Sequence, residues 1–189
     1  MTDIAPSLLH PWASFYTMTG SAAAALTGLM FVVGTLMTGA ERSRTTRHEG
    51  NATFSTPTVL HFGVALLVSA VLCAPWRSLL GTGTLLGLTG LWGVVYIIHV
   101  MCQARRLSVY SPDLEDWIWY TILPLVAYGA IFAGAIVLFV VPEEALFALA
   151  GGVVLLTFIG IRNAWDIVTY IVLEGVDKPP NSSGNDESG

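Results

Sequence analysis

Apolar positions run along this chain in five long blocks: roughly Trp12 to Thr38, Pro57 to Trp76, Thr82 to Cys102, Trp117 to Val141, and Ala145 to Leu173. Each reaches the ~20 residues that a helix needs to cross a ~30 Å hydrocarbon core. Period-2 alternation is absent, so a barrel is not indicated. Pro75, Pro112, Pro142 and the Pro179-Pro180 pair fall at the ends of blocks, where a missing N–H costs least. Pro124 falls inside the fourth block, where it should kink the helix and leave a carbonyl free. The pattern predicts an all-α integral membrane bundle of five transmembrane helices over residues 1–174. Residues 175–189 then form an acidic cytoplasmic tail, whose "VDKPPNSSGNDESG" has the Pro, Ser, Gly and acidic content of disorder.

Basic residues give the bundle a direction. Arg42, Arg44 and Arg47 lie in the first loop, Arg105 and Arg106 in the third, and Lys178 in the tail. The alternate side offers only Arg77. The positive-inside bias therefore predicts an N-terminus outside and a C-terminus in the cytoplasm. Trp12, Trp76, Trp117, Trp119 and Tyr120 fall at block ends, where aromatic anchors belong. Cys73 and Cys102 then lie at opposite faces, about 30 Å apart, against a disulfide limit of ~7 Å, so no internal bridge is expected. The sequons at Asn51 and Asn181 would be cytoplasmic and are read as unglycosylated. No Lys or Arg precedes the first block, and that block is too long for a signal-peptide core, so it is expected to remain in the mature protein.

Composition agrees with this placement. The chain is 54% hydrophobic and only 11% charged, against about 25% charged in a soluble domain. Its net charge of −5, without basic clustering on a polar face, excludes a nucleic-acid partner.

Membrane helices associate by close approach at small residues. Gly20, Ala24 and Gly28 stand four apart on the first helix, and Gly83 and Gly87 repeat the spacing on the third. Ala130 with Gly134, and Ala148 with Gly152, do so again. These are expected helix-packing faces within one bundle, and the small-residue first helix is also a candidate subunit interface.

The last block carries its own interruption, "GIRNAWDIVTY". At about 100° per residue, Arg162, Asn163, Asp166, Thr169 and Tyr170 share a sector with Ala148, Gly151, Gly152, Leu155 and Ile159. A small-residue face is a packing face, so the polar groups are expected to point into the bundle. Arg162 and Asp166, four residues apart, can pair; buried, such a pair would cost about 3–5 kcal/mol to break. His61 lies a turn inside the start of the second span and His99 a turn inside the end of the third. Arg162, Asn163, Asp166, His61 and His99 thus form a candidate polar membrane cluster in the inner leaflet. The simpler alternative has Arg162 snorkelling to phosphates as an anchor. A cluster there can bind an anionic lipid head group, relay protons or, through two histidines, ligate haem. Haem ranks lowest because no second histidine pair exists to carry electrons across, and no cofactor is expected. No metal site is expected either: the chain has no His-Glu-x-x-His and no carboxylate cluster. No catalytic residue is identified, since Ser14 and Ser69 have no evident base and no phosphate-binding or dinucleotide motif occurs.

The stretches "GSAAAALTGLMFV" in the first helix and "RNAWD" in the last resemble a family of small polytopic inner-membrane proteins of bacteria. Some of its members are labelled modulators of a membrane-bound ATP-dependent protease. The resemblance implies an inner-membrane, multi-pass protein and carries no catalytic residue. The expected function is non-enzymatic, through contacts with lipid or other membrane proteins or by self-association. A small transporter or oligomeric pore using the Arg/Asp/His cluster is the alternative, and a haem-binding or other membrane enzyme the last.

Overall fold

The computed structural model describes residues 4–41, 51–106 and 117–176. Within them the chain is helical apart from the turns at 74–78 and 138–141. α1 (Ile4–Leu9) leads through a short 3₁₀ turn, His10–Trp12, into α2 (Ala13–Glu41). Then come α3 (Asn51–Cys73), α4 (Leu79–Arg106), α5 (Leu123–Val137) and α6 (Pro142–Val176). Four helices are long and apolar enough to cross a membrane, over Pro6–Thr35, Leu79–Cys102, Ile118–Val137 and Pro142–Thr169. The apolar part of α3, Pro57–Cys73, is shorter. The first-loop arginines, Lys178, Asn181 and the tail beyond Val176 lie outside the described residues.

Helix ends follow the prolines. α3 stops at Cys73 rather than Trp76, because Pro75 cannot donate to a continuing helix. The Trp76 amide turns back to the Ala74 carbonyl at 2.9 Å, and its indole N–H donates to the Val71 carbonyl at 2.6 Å. Pro142 opens α6, at the position where its fixed φ suits a helix start. Pro124 is absorbed differently from expectation. A π-helical turn, Ile118–Ile122, precedes it, and the Leu123 amide reaches back to the Ile118 carbonyl. This wider turn gives the proline ring the room that an α-helical carbonyl would occupy.

The helices lie side by side in the order α2, α3, α6, α5, α4, with lighter contacts between α2 and α6 and between α3 and α4. Neighbours run antiparallel. Gly20 of α2 faces Ser69 of α3, Gly160 of α6 faces the Phe62 ring of α3, and Gly152 of α6 faces Ile131 of α5. Where α2, α3 and α6 meet, the Tyr16 hydroxyl donates to the Leu146 carbonyl at 3.0 Å and Thr19 shares a hydrogen bond with Ser69 at 3.2 Å. Large apolar side chains such as Phe31, Leu88, Phe158 and Trp165 cover the outside. A water-soluble surface does not carry such a contiguous patch, and a lipid-solvated one does.

The packing faces differ in part from expectation. On α2, Gly20 is inside but Ala24 is exposed and Gly28 has nothing within 4 Å of an added Cβ. The buried line is Tyr16, Gly20, Ala23 and Met30. Steps of four residues drift about 40° around a helix each time, whereas alternating steps of three and four hold one face. We therefore expect Ala23→Leu to lower the melting temperature in detergent markedly, at an overpacking cost of about 1–3 kcal/mol. Ala24→Leu should leave it unchanged. Equal effects would mean that α2 is turned differently.

On α4 the expected Gly83 and Gly87 do pack, against Phe139 and Ala135, and the line continues through Gly90 onto Phe132 and Gly93 onto the Tyr128 ring. This four-glycine ladder brings α4 flat onto α5. On α5 and α6, Gly134 and Gly152 are buried, but Ala148 and Gly151 face outward. Cys73 and Cys102, near the far ends of α3 and α4, are both free thiols.

Candidate functional site

One group of polar side chains gathers between α3, α5 and α6. His61 of α3 is 1% exposed and its Nδ1 lies 2.9 Å from the hydroxyl of Tyr128, which is fully buried on α5. Gly93 of α4 presses against the other side of the tyrosine. A bonded pair is how a polar group is carried inside a membrane bundle, where lipid offers no partner.

About one turn further lie Thr58 of α3 and Asn163 of α6, both buried. The Thr58 hydroxyl oxygen and the Asn163 amide oxygen have no hydrogen-bond partner. Next to Asn163, Arg162 forms an ion pair with Asp166 across one turn of α6, each 35% exposed. The Arg162 guanidinium carbon lies 5.7 Å from the centre of the Trp119 ring, and the Tyr120 hydroxyl donates to Asp166 Oδ2 at 3.5 Å. Trp119 and Tyr120 belong to the π-helical turn, which thus meets α6 at this pair.

Arg162 follows Pro142 by about 30 Å of helix at ~1.5 Å per residue, which matches the ~30 Å hydrocarbon thickness. The pair therefore lies toward the far end of the Pro142–Thr169 candidate span, with each side chain partly exposed. This corrects the expectation of a buried pair. The buried arc of α6 runs through Leu149, Gly152, Leu156, Ile159 and Asn163, because α6 has to face both α3 and α5. Arg162 and Asp166 lie on its margin. Thr169 is likewise half-buried, and the Tyr170 side chain lies outside the described residues.

A half-exposed i,i+4 pair contributes about 0.2–1 kcal/mol rather than the ~3–5 kcal/mol of a buried one. Arg162→Ala and Asp166→Ala should each lower stability in detergent by less than about 1 kcal/mol, with a coupling near 0.3–0.5 kcal/mol. A coupling above about 2 kcal/mol, the range of a desolvated pair, would contradict the half-exposed placement.

His99 does not join this group. It is exposed on α4, whereas His61 is sealed between α3 and α5. The five residues of the expected cluster thus divide. Arg162, Asn163 and Asp166 line one end of the α6 contact, His61 is sealed against Tyr128 instead, and His99 is exposed on α4. Among the described residues no group of three or more His, Cys, Asp or Glu side chains is placed to hold a metal ion.

Tyr128, Thr58, Trp119 and Tyr120 are the partners that sequence reasoning missed. Tyr128 carried a signal. It interrupts "LPLVAYGAIF" in mid-span, whereas membrane tyrosines belong at the interface. Comparison with protein-family models, curated proteins and solved structures finds no match to this chain.

Proposed function

We propose that the chain is a five-span bundle of the bacterial inner membrane, with its N-terminus outside and its C-terminus in the cytoplasm. It works without a reaction of its own, as a modulator or accessory subunit that docks another membrane helix. The observation that carries this reading is the outer face of α2. Ser21, Ala25 and Gly28 stand at i, i+4 and i+7 on the side opposite Tyr16, Gly20 and Ala23, and all three are exposed. Small residues on a lipid-facing helix let a second backbone approach closely. On α4 the comparable run, from Gly83 to Gly93, is filled by α5; on α2 no described residue lies within 4 Å of a Cβ added at Gly28.

The fifth crossing is supported by the position of α3. It lies antiparallel between α2 and α6 with Phe62, Ala65 and Val68 fully buried, so its neighbours, more than lipid, cover its length. The orientation rests on the one-sided arginines. Arg162, partly exposed toward the far end of its candidate span, is the group that an anionic lipid head group would meet on the cytoplasmic side.

Two measurements test the reading. Reporter fusions after Gly50 and Ser108 should read cytoplasmic and fusions near Gly81 and Glu143 periplasmic; the reverse pattern overturns the orientation. In membranes, a Gly28→Cys chain lacking the two natural cysteines should crosslink to a second copy or to another membrane protein, while a cysteine at Leu88 should not. No crosslink from position 28 would make that face a lipid surface. Solute flux into liposomes that depends on Asp166 would replace docking with transport.

A further inference from the structure

We propose that Thr58, Asn163 and the His61–Tyr128 pair line a water-binding site between α3, α5 and α6, open to one aqueous face past Asp166 and closed toward the other. The site depends on the bundle and not on the outer face of α2.

Two of the three unpartnered buried side-chain oxygens among the described residues belong to α3 and α6. Several threonine hydroxyls in the bundle are tied off within their own helix. Thr27 donates to the Ala23 carbonyl at 2.8 Å, Thr89 to Leu85 at 2.8 Å and Thr157 to Val153 at 2.9 Å. This is the ordinary way to carry a hydroxyl through lipid. Thr58 departs from it, as Thr82 on α4 does: each side chain is fully buried and its Oγ1 is unpartnered. The Oδ1 of Asn163, 1% exposed, is unpartnered as well.

Thr58 Oγ1 and Asn163 Oδ1 share one place. On α3, Phe62 points to α6 and His61 to α5. At about 100° per residue, Thr58 falls between those directions. On α6, Gly160 faces α3 and Gly152 faces α5; Asn163 falls between them by the same count. The helices run antiparallel, so Thr58 and Asn163 both lie roughly one turn past the Phe62–Gly160 contact, on the same side. Two unpartnered polar groups therefore converge on the seam of three helices, a turn from the bonded His61–Tyr128 pair. A buried water needs two to four such partners, and a carbonyl oxygen beside a hydroxyl supplies an acceptor and a donor-acceptor.

The way in is at Asp166, one turn beyond Asn163 and partly exposed. In the other direction the bundle is closed, since Ala127, Ile131, Val153 and Leu156 are fully buried and Gly152 lies against Ile131 and the Ala127 carbonyl. Water reaching His61 meets a dead end, so the pocket hydrates without conducting.

The test is thiol reactivity in a chain whose Cys73 and Cys102 are replaced by alanine. Thr58→Cys and Asn163→Cys should react with a small aqueous methanethiosulfonate reagent at least about tenfold faster than Val153→Cys, because the reactive thiolate forms where water solvates it. Equal, slow rates at the three positions overturn the proposal. Should either variant fail to fold, radiolytic hydroxyl labelling of the unaltered protein decides. Phe62 and Tyr128 should then be oxidised faster than Ile131 and Leu156 after correction for intrinsic reactivity. Equal protection of all four overturns the site.

Discussion

Gly90→Leu is expected to abolish the folded bundle. A Cβ at that position would lie 2.6 Å from the Phe132 amide nitrogen and 2.8 Å from its Cα. Those atoms belong to the α5 backbone, which cannot rotate aside as a side-chain end would. Leucine must therefore drive α4 from α5 along the whole ladder, from Gly83 at Phe139 to Gly93 at Tyr128. Overpacking a core that can relax costs about 1–3 kcal/mol, and here relaxation is blocked, so the loss should exceed that range. We expect no monodisperse species in mild detergent and a collapse of folded yield. Gly28→Leu is the control. It makes the same chemical change where nothing lies within 4 Å, and the isolated chain should tolerate it. A Gly90→Leu protein that melts like the unaltered one would mean that α4 and α5 are not in this register.

The second large effect belongs to His61 and Tyr128. Tyr128→Phe removes the hydroxyl and leaves His61 Nδ1, buried and 2.9 Å away, without its partner. Leaving a buried group unsatisfied costs about 1–3 kcal/mol. His61→Leu strands the tyrosine hydroxyl in the same way. The combined His61→Leu, Tyr128→Phe chain removes both polar groups and should recover part of the loss. The coupling should fall near the ~0.6–1.7 kcal/mol found for interhelical hydrogen bonds in membranes. Reversible unfolding in mixed detergent micelles reads these differences directly. Strict additivity of the two single losses would show that the pair contributes only its volume.

Part of the site is legible in the amino-acid sequence alone. The spacing of Arg162 and Asp166 announces an i,i+4 pair, and the pair forms. Its depth is harder to read. Sequence places Arg162 in the last span, but its partial exposure and the contacts of the pair with Trp119 and Tyr120 come only from the structure. His61 and His99 read alike along the chain, each a turn inside a span end. One is sealed against Tyr128 and the other is exposed, because the two helices that carry them barely touch.

The division has a physical cause. The long apolar runs determine by themselves that this chain is helical and has helices long enough to cross a membrane, because lipid leaves the backbone no other partner than its own helix. The prolines determine where several of those helices end. Which face of each helix turns inward is another matter. In water, burial separates apolar from polar residues and marks the inner face on the sequence. In lipid both faces are apolar, so hydrophobicity cannot tell bundle from bilayer, and shape and hydrogen bonding decide. Gly20 is inside while Gly28 is outside, and Gly90 and Gly93 complete a ladder, only because Ser69, Phe132 and Tyr128 stand opposite or fail to. Those partners are distant in sequence, and tertiary structure alone brings them together.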